Sequence, residues 1–116
     1  MSGLGEVVQR LAARAGVRGV VLLSGDGLPI EQSAGPFEPE TVAALGATLA
    51  QHGGRLGQGA ARGQLLTAVL EYHGGLLVLS RAGSDDWLAI LATADADIGP
   101  LLFDLRQHRP ALAALL

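Results

Sequence analysis

The strongest candidate for chemistry is a carboxylate between two glycines, Gly25-Asp26-Gly27, which follows Ser24 in the stretch LLSGDGLPI. On a tight loop Asp26 could serve as a catalytic acid or base, and the glycines could cradle a phosphate. A phosphate loop opens a helix after a strand, however, whereas a second apolar run follows here. Because glycine adopts positive φ freely and Asp hydrogen-bonds its own turn backbone, the sequence predicts a hairpin bend at Asp26.

The other groups able to do chemistry are too dispersed to form a recognisable site. The three histidines lie on different predicted elements, with no pair at i, i+4 and no carboxylate pattern suited to zinc. A later glycine-rich stretch follows a helix and precedes a strand, the reverse of a nucleotide-binding loop. The sequence therefore predicts no catalytic residue, no metal and no cofactor. The groups considered are Ser24, His52, Gly57, Gly59, Gly63, His73, Asp85, Asp86 and His108.

Composition restricts the class of protein. The chain has 116 residues, enough for one domain (residues 1–116), of which 49% are hydrophobic and 16% charged. Its net charge is −3, and its eight cations, all arginine, are scattered along the sequence, so no nucleic-acid partner is predicted. The absence of lysine excludes a Walker A loop and a Schiff base, and the absence of cysteine excludes a disulfide framework.

Targeting signals are not evident in the sequence. No apolar stretch approaches the roughly 18 residues that span a bilayer, so no membrane span is predicted. The N-terminal stretch MSGLGEVVQR carries Glu6 early and lacks the basic region that precedes the apolar core of a secretory signal. We therefore expect a cytoplasmic protein.

The hydrophobic pattern predicts an α+β domain with the order α-β-β-α-β-β-β-α. Short turn-rich connectors favour antiparallel neighbours, and the strands are apolar on successive residues, as in a sheet covered on both faces. The expected architecture is a three-layer sandwich, with a five-stranded antiparallel sheet between helices. The predicted helices cover Leu4 to Ala15, Glu38 to about Gly57 and a last segment from near Asp97; the predicted strands are Gly19 to Ser24, Leu28 to Ser33, Leu65 to Tyr72, Leu76 to Arg81 and Trp87 to Ala92.

The second predicted helix separates into three faces at about 100° per residue. Its large apolar residues are predicted to face the domain's own core and its polar residues to face solvent. A third stripe contains only small residues, although each helix-interior glycine costs about 1 kcal/mol relative to alanine. Such a stripe favours close approach of another backbone; alternatively, the helix ends near His52. The apolar face holds Val42, Leu45, Leu49 and Leu56, the polar face Thr41, Thr48, Gln51, His52, Arg55 and Gln58, and the small face Ala43, Gly46, Ala47, Ala50, Gly53, Gly54 and Gly57.

Several segments together resemble one known family over nearly the whole chain. They are the first helix leading into VRGVVLLSGDGLPI, the long second helix, LLTAVLEYHGGLLVLS and WLAILATADADIGPLLFDLR. This pattern is similar to the Roadblock/dynein light-chain domain family, in particular its bacterial MglB-like members. The most specific pieces are the hairpin from Asp26 to Ile30 and the passage Asp97-Ile98-Gly99, although Asp97 stands where the family often has Asn.

The resemblance implies a non-catalytic homodimer that acts as a regulator or scaffold. In such dimers the third strands pair across a two-fold axis and the second helices lie antiparallel against each other. The bacterial members bind small Ras-like GTPases and modulate their nucleotide cycle. A small-ligand sensor of similar fold, or a small hydrolase using Asp26, Ser24 and a histidine, are the alternatives.

These considerations predict two groups of interface residues. The third strand is long, lacks proline and carries a single charge, so as an exposed edge it would invite aggregation unless a second copy covered it. The small-residue stripe fits either the dimer or a docked partner. The predicted dimer residues are Leu65, Thr67, Val69 and Glu71 on the strand and Ala43, Ala47, Ala50 and Gly54 on the helix; the predicted partner-binding residues are Ala50, Gln51, Arg55 and Gln58.

Overall fold

The computed structural model describes residues 3–116 and contains one five-stranded antiparallel sheet with helices on both faces. The strand order is β2-β1-β5-β4-β3, which leaves β2 and β3 at the two edges. This element order and architecture confirm the predicted fold class. The elements are α1 (Gly3–Ala12), β1 (Val17–Ser24), β2 (Pro29–Gln32), α2 (Pro39–Gly59), β3 (Thr67–Tyr72), β4 (Gly75–Arg81), β5 (Asp86–Ala92) and α3 (Ile98–Leu115).

The sheet divides the hydrophobic core into two clusters. Successive side chains of a strand point to opposite faces, so a continuous apolar run such as that in β1 supplies both clusters at once. Helices α1 and α3 cover the first cluster and α2 covers the second. The sheet supplies Val20, Leu22, Val78, Leu88 and Ile90 to the first cluster, and Val21, Leu23, Leu79, Trp87 and Ala89 to the second.

The Asp26 segment is the bend of the β1–β2 hairpin, as predicted. The Ser24 amide donates to the Leu28 carbonyl at 2.9 Å, and the Gly27 amide donates to the Ser24 carbonyl at 2.9 Å. Gly27 adopts a φ of +87°, a conformation that side chains with a Cβ rarely take. Asp26 itself is exposed at this bend, and the side chain that accepts from the turn backbone is that of Ser24, from the Leu28 amide at 3.3 Å.

The face assignment for α2 is correct only in part, since Val42 and Leu49 are half-buried and pack against the core beneath the helix, as predicted. Leu45 is 64% exposed and Leu56 74% exposed, which contradicts the prediction for these two residues, whereas the alanines predicted to form part of a free stripe are buried against the chain's own sheet. The large side chains that fill this layer come from the sheet, so the helix contributes small ones and its backbone approaches closely. A Cβ on Gly46 would lie 3.3 Å from Leu23 Cδ2, which illustrates the short separation. The buried small residues are Ala43, Ala47 and Ala50.

Several element ends differ from the predictions, and α1 in particular ends at Ala12 rather than Ala15. Helix α2 runs through Gly53 and Gly54 to Gly59, so the alternative end near His52 is wrong. Strand β3 begins at Thr67 rather than Leu65. The start of α3 agrees with the prediction, because the helix begins after Asp97, whose side chain accepts from the Gly99 amide as an N-cap. Pro110 lies inside this helix, which continues to Leu115.

Candidate interaction surfaces

The described residues offer surfaces rather than a centre of reactive side chains. Within residues 3–116 there is no group of three or more His, Cys, Asp or Glu side chains placed to hold a metal ion. No helix in that range combines the length and apolar character needed to cross a bilayer. The surfaces with distinctive chemistry cluster around β3 and α2.

The first surface is the free edge of β3. The Arg81 amide donates to the Leu66 carbonyl at 2.8 Å, which makes these two residues a hydrogen-bonded pair. In an antiparallel ladder such pairs alternate, so the backbone groups of Ala68, Leu70 and Tyr72 also point towards β4. The N–H and C=O groups of the residues between them point away from the sheet. These outward residues are Thr67, Val69 and Glu71, three of the four strand residues predicted for a dimer.

Leu65, the fourth, belongs to the interior instead. Its carbonyl accepts from Arg81 Nε at 2.9 Å, and its side chain packs where a Cβ on Gly53 would lie 2.6 Å from Leu65 Cδ2. Because both its carbonyl and its side chain already have partners within this chain, Leu65 does not extend the free edge.

The second surface is an apolar trough between α2 and the neighbouring strands, about 340 Å³ in volume. Helix α2 packs mainly over β1, β2 and β5, and the trough opens beside it, towards β3. Its walls are mainly apolar, and one end reaches the free edge of the sheet at Tyr72. We call it the α2 trough; it is lined by Thr41, Val42, Leu45, Gly46, Leu49, Leu70, Tyr72, Leu77 and Ala89.

The third surface is a polar cleft of about 450 Å³ at the C-terminal half of α2. It brings together the predicted partner-binding residues Gln51, Arg55 and Gln58, with Gly54 beside them. Ala50 forms part of its floor but is only 8% exposed, so it offers little surface to a partner. The cleft also contains residues that the sequence patterns did not single out as a site: Gln64, Arg81, Asp85 and Trp87.

The β4–β5 connection and its ends place three charged side chains near this cleft: Arg81, Asp85 and Asp86. Burial, and then the neighbouring charge of Asp85, raise the pKa of Asp86 above its usual value. The Arg81 guanidinium lies over the Trp87 ring and donates from Nη1 to the Ser84 carbonyl at 2.8 Å. The floor of the cleft is therefore held by a network rather than by loosely placed side chains.

The fourth surface is a groove of about 350 Å³ beside the N-terminal end of β3, which we call the arginine groove. Arg62, Arg106 and Arg109 line it, although they are far apart in sequence, and no carboxylate lines it within residues 3–116. Arg109 Nη2 donates to Thr67 Oγ1 and Ser80 Oγ, each at 3.3 Å. Burial, and then the charges of Arg106 and Arg81, lower the pKa of Arg109. The groove thus carries uncompensated positive charge.

A cavity of about 260 Å³ lies between α1, α3 and the sheet. Val7, Leu11, Leu105 and other apolar side chains form most of it, and the Arg14–Asp104 ion pair joins the α1–β1 connection to α3 at its wall. The alternative function, a small-ligand sensor, would need a space of this kind.

Two of the α2 residues predicted for the dimer interface, Ala43 and Ala47, are not on the surface. Ala43 is fully buried, and Ala47 is 5% exposed, both in the cluster beneath α2. Since the chain's own sheet covers them, they are not available to a second copy. The exposed side chains in their place on α2 are Leu45 and Leu56, which lie eleven residues apart and so share one face of the helix.

Comparison with known proteins identifies the same fold. The Roadblock/LC7 domain model matches residues 3–92. The crystal structure of a Roadblock/LC7 domain from Streptomyces avermitilis is similar, with a TM-score of 0.82 and 31% identity, covering 96% of this chain and 98% of that chain. No curated protein matches the sequence.

Two MglB structures share the fold at lower identity. Myxococcus xanthus MglB has a TM-score of 0.86 and 19% identity, covering 97% of this chain and 93% of that chain. The gliding protein MglB from Thermus thermophilus has a TM-score of 0.83 and 20% identity, covering 95% and 85%. From the family match over residues 3–92 and the similarity to the S. avermitilis domain, we conclude that the chain belongs to the Roadblock/LC7 domain family.

Proposed function

We propose that this Roadblock domain is a non-catalytic homodimeric regulator or scaffold that binds a small Ras-like GTPase and modulates its nucleotide cycle. The observation that carries the proposal is the continuity of the free β3 edge with the α2 trough. Together they form an apolar surface with unpaired backbone groups, which a second copy would cover.

A dimer is proposed because an exposed strand edge beside an apolar trough would otherwise favour aggregation. An exposed edge strand without proline or a bulge templates further strand pairing, and natural proteins cover or interrupt such edges. A second copy placed across a two-fold axis covers both edges at once. The pairing proposed from the family resemblance, third strand with third strand and second helix beside second helix, would also bury exposed Leu45 and Tyr72.

The GTPase is proposed to dock on the polar side of α2. Gln51, Arg55 and Gln58 are exposed along the polar cleft and supply donors and acceptors. A cleft with a preformed floor can receive a segment of a partner without a change of its own fold.

Arg55 is proposed to bind rather than to act as an arginine finger. A finger contributes about 10³–10⁵ in rate when it reaches the transferring phosphate. The family resemblance implies regulators that rearrange the GTPase's own residues instead. We therefore expect Arg55→Ala to weaken binding mildly and to leave the rate at saturating regulator nearly unchanged.

The test uses a purified small Ras-like GTPase from the source organism, loaded with GDP or with a non-hydrolysable GTP analogue. We expect saturable binding that depends on the nucleotide, and a changed single-turnover hydrolysis rate. The combined variant Gln51→Ala/Gln58→Ala should bind more weakly. The control Gln9→Ala, at an exposed side chain of α1 on the other face of the sheet, should bind as wild type. Equal, non-saturable signals for both nucleotide states would refute the proposed function. Loss of the stimulated rate in Arg55→Ala with binding retained would establish the finger.

Absence of catalysis by this chain is tested at Asp26. Asn keeps a side chain suited to the turn and removes the acid–base capacity of the carboxylate. We expect Asp26→Asn to bind the GTPase and to alter its hydrolysis as wild type does. Loss of activity with the fold and dimer retained would favour the hydrolase alternative.

A further inference from the structure

We infer that two copies pair along β3 in one register, with Val69 opposite its own counterpart and Glu71 of each copy beside Arg106 and Arg109 of the other. This inference rests on the proposed homodimer and specifies its geometry. It follows from three observations: which backbone groups of β3 are free, how many of them each register can pair, and where the charges lie.

The free backbone groups limit the possible registers. Only Thr67, Val69 and Glu71 direct their N–H and C=O groups outward, since the alternate residues are bonded to β4. In a two-fold antiparallel pair, outward residues must face outward residues. The axis must therefore pass through a residue of the strand, and the registers that overlap the strands most place it at Val69, or at Ala68 or Leu70 on either side.

The register centred on Val69 uses the most backbone groups. It places Val69 opposite Val69 and Thr67 opposite Glu71 twice, so all three outward residues of each copy are paired. Centred on Ala68, the strand would set Glu71 opposite Leu65, whose carbonyl already accepts from Arg81 Nε at 2.9 Å. Centred on Leu70, it would set Thr67 opposite a residue of the β3–β4 turn, outside the strand.

Charge favours the same register. With the axis at Leu70, the two Glu71 side chains would be displaced by only two residues, about 7 Å along the strand. With the axis at Val69, that displacement is about 14 Å, and each Glu71 instead lies opposite the partner subunit's Thr67. Thr67, Val69 and Glu71 share one face of the sheet, the face covered by α3, because side chains alternate along a strand.

On that face lies the arginine groove, which no carboxylate of residues 3–116 lines. Arg109 reaches Thr67 Oγ1, and Arg106 lines the same groove one turn away on α3. Within a single copy, Glu71 is exposed and lies four residues, about 14 Å, from its own Thr67, so it cannot reach this groove. A second copy in the inferred register brings its Glu71 to the end of the groove, and the symmetry forms the contact twice.

Cysteine crosslinking reads the register directly, because the native chain contains no cysteine. In a hydrogen-bonded antiparallel pair the Cα atoms lie about 5.5 Å apart, within the range that a disulfide spans. We expect Val69→Cys to form a disulfide-linked dimer under mild oxidation. Thr67→Cys and Glu71→Cys should crosslink poorly by themselves and efficiently when the two variants are mixed. Preferential crosslinking of Ala68→Cys or Leu70→Cys would overturn the register.

Charge reversal tests the ion pairs by sedimentation equilibrium. Glu71→Arg would place two arginines against two arginine grooves, and we expect it to raise the dimer Kd about 100-fold or more. Adding Arg106→Glu, at an exposed side chain, should recover much of the affinity. Asp95→Arg, an equal change of charge at an exposed residue outside both β3 and the arginine groove, is the control and should leave the Kd unchanged.

The outcomes separate this inference from the proposed dimer. A wild-type chain that stays monomeric at micromolar concentration would refute both. A wild-type dimer in which Glu71→Arg has no effect, or in which Arg106→Glu fails to rescue it, would refute the ion pairs and leave the dimer standing. A dimer that none of the five single cysteines nor the mixture crosslinks would show that β3 is not its interface.

Discussion

The Arg81 guanidinium lies 4.5 Å from the centroid of the Trp87 ring, close enough for a cation–π interaction. The same group donates to the Leu65 carbonyl at 2.9 Å and to the Ser84 carbonyl at 2.8 Å. One side chain thus joins the segment before β3, the β4–β5 connection and the floor of the polar cleft. The fork of the guanidinium allows it to serve two carbonyls while stacking on a ring.

We predict that Arg81→Lys destabilises the domain although the charge is kept. A lysine ammonium can retain one carbonyl or the ring contact but not the whole set, so the expected loss is about 1–2 kcal/mol. Urea unfolding followed by Trp87 fluorescence measures it. Arg18→Lys, at an exposed position, is the matched control and should stay within about 0.5 kcal/mol of wild type. Equal free energies of unfolding for Arg81→Lys and wild type would show that these Arg81 contacts do not stabilise the cleft.

Two glycines of α2 should respond to alanine in opposite directions. A Cβ at Gly54 would meet no atom within 4 Å, so Gly54→Ala should stabilise the helix by about 0.5–1 kcal/mol. A Cβ at Gly57 would lie 2.4 Å from the Gly63 carbonyl oxygen, so the returning segment must shift and Gly57→Ala should cost about 1–3 kcal/mol. Thermal and urea unfolding of the two variants measure the difference. Stabilisation by both would mean that the contact at Gly63 yields easily.

The sequence predicted the sheet well because local and global signals agree there. Continuous apolar runs such as Val20 to Leu23 have one interpretation when both faces must be covered, and the Asp26 bend has strong turn chemistry. Periodicity placed Val42 and Leu49 against the core correctly, but it could not show that the alanines of α2 also face the sheet while Leu45 and Leu56 face outward. That depends on how much volume Leu23 and Trp87 already occupy in the layer, which is a property of the assembled core.

The arginine groove could not be predicted from the sequence, because its residues become neighbours only when the helices and the sheet are assembled. Arg62 lies after α2, while Arg106 and Arg109 lie on α3, so no run or spacing marks them as neighbours. They meet because α2 and α3 cover opposite faces of the sheet and both reach its β3 edge. Charges described as scattered in the sequence therefore converge on one place in the fold.

The raised pKa of Asp86 predicts a pH dependence of stability. A carboxyl whose native pKa is above its unfolded value favours folding in its protonated form, so its contribution is full below the unfolded value of 3.8 and is lost as the pH rises through the native value. Asp86→Asn keeps the side chain neutral at every pH, so this variant does not lose stability as the carboxyl ionises. We expect the variant to be more stable than wild type at pH 7, with the difference shrinking as the pH falls towards 3.8. Asp95→Asn, at an exposed position, should show no such trend across the same urea titrations. A difference that grows in acid would contradict the assigned sign.

Leu45 provides the sharpest test of the α2 face in the proposed dimer. Leu45 and Leu28 are each 64% exposed, but Leu45 lines the α2 trough, whereas Leu28 lies in the β1–β2 hairpin, towards the sheet edge opposite β3. Burying a leucine contributes about 1.5–3 kcal/mol relative to leaving it exposed, and a dimer buries Leu45 from both copies. Leu45→Glu should therefore shift the protein to monomer in sedimentation equilibrium with unfolding of the monomer little changed, because the side chain is exposed in a single copy. Leu28→Glu should sediment as wild type. If both variants dimerise equally, the trough is not part of the interface, and the exposed face of α2 is left for the GTPase or another partner.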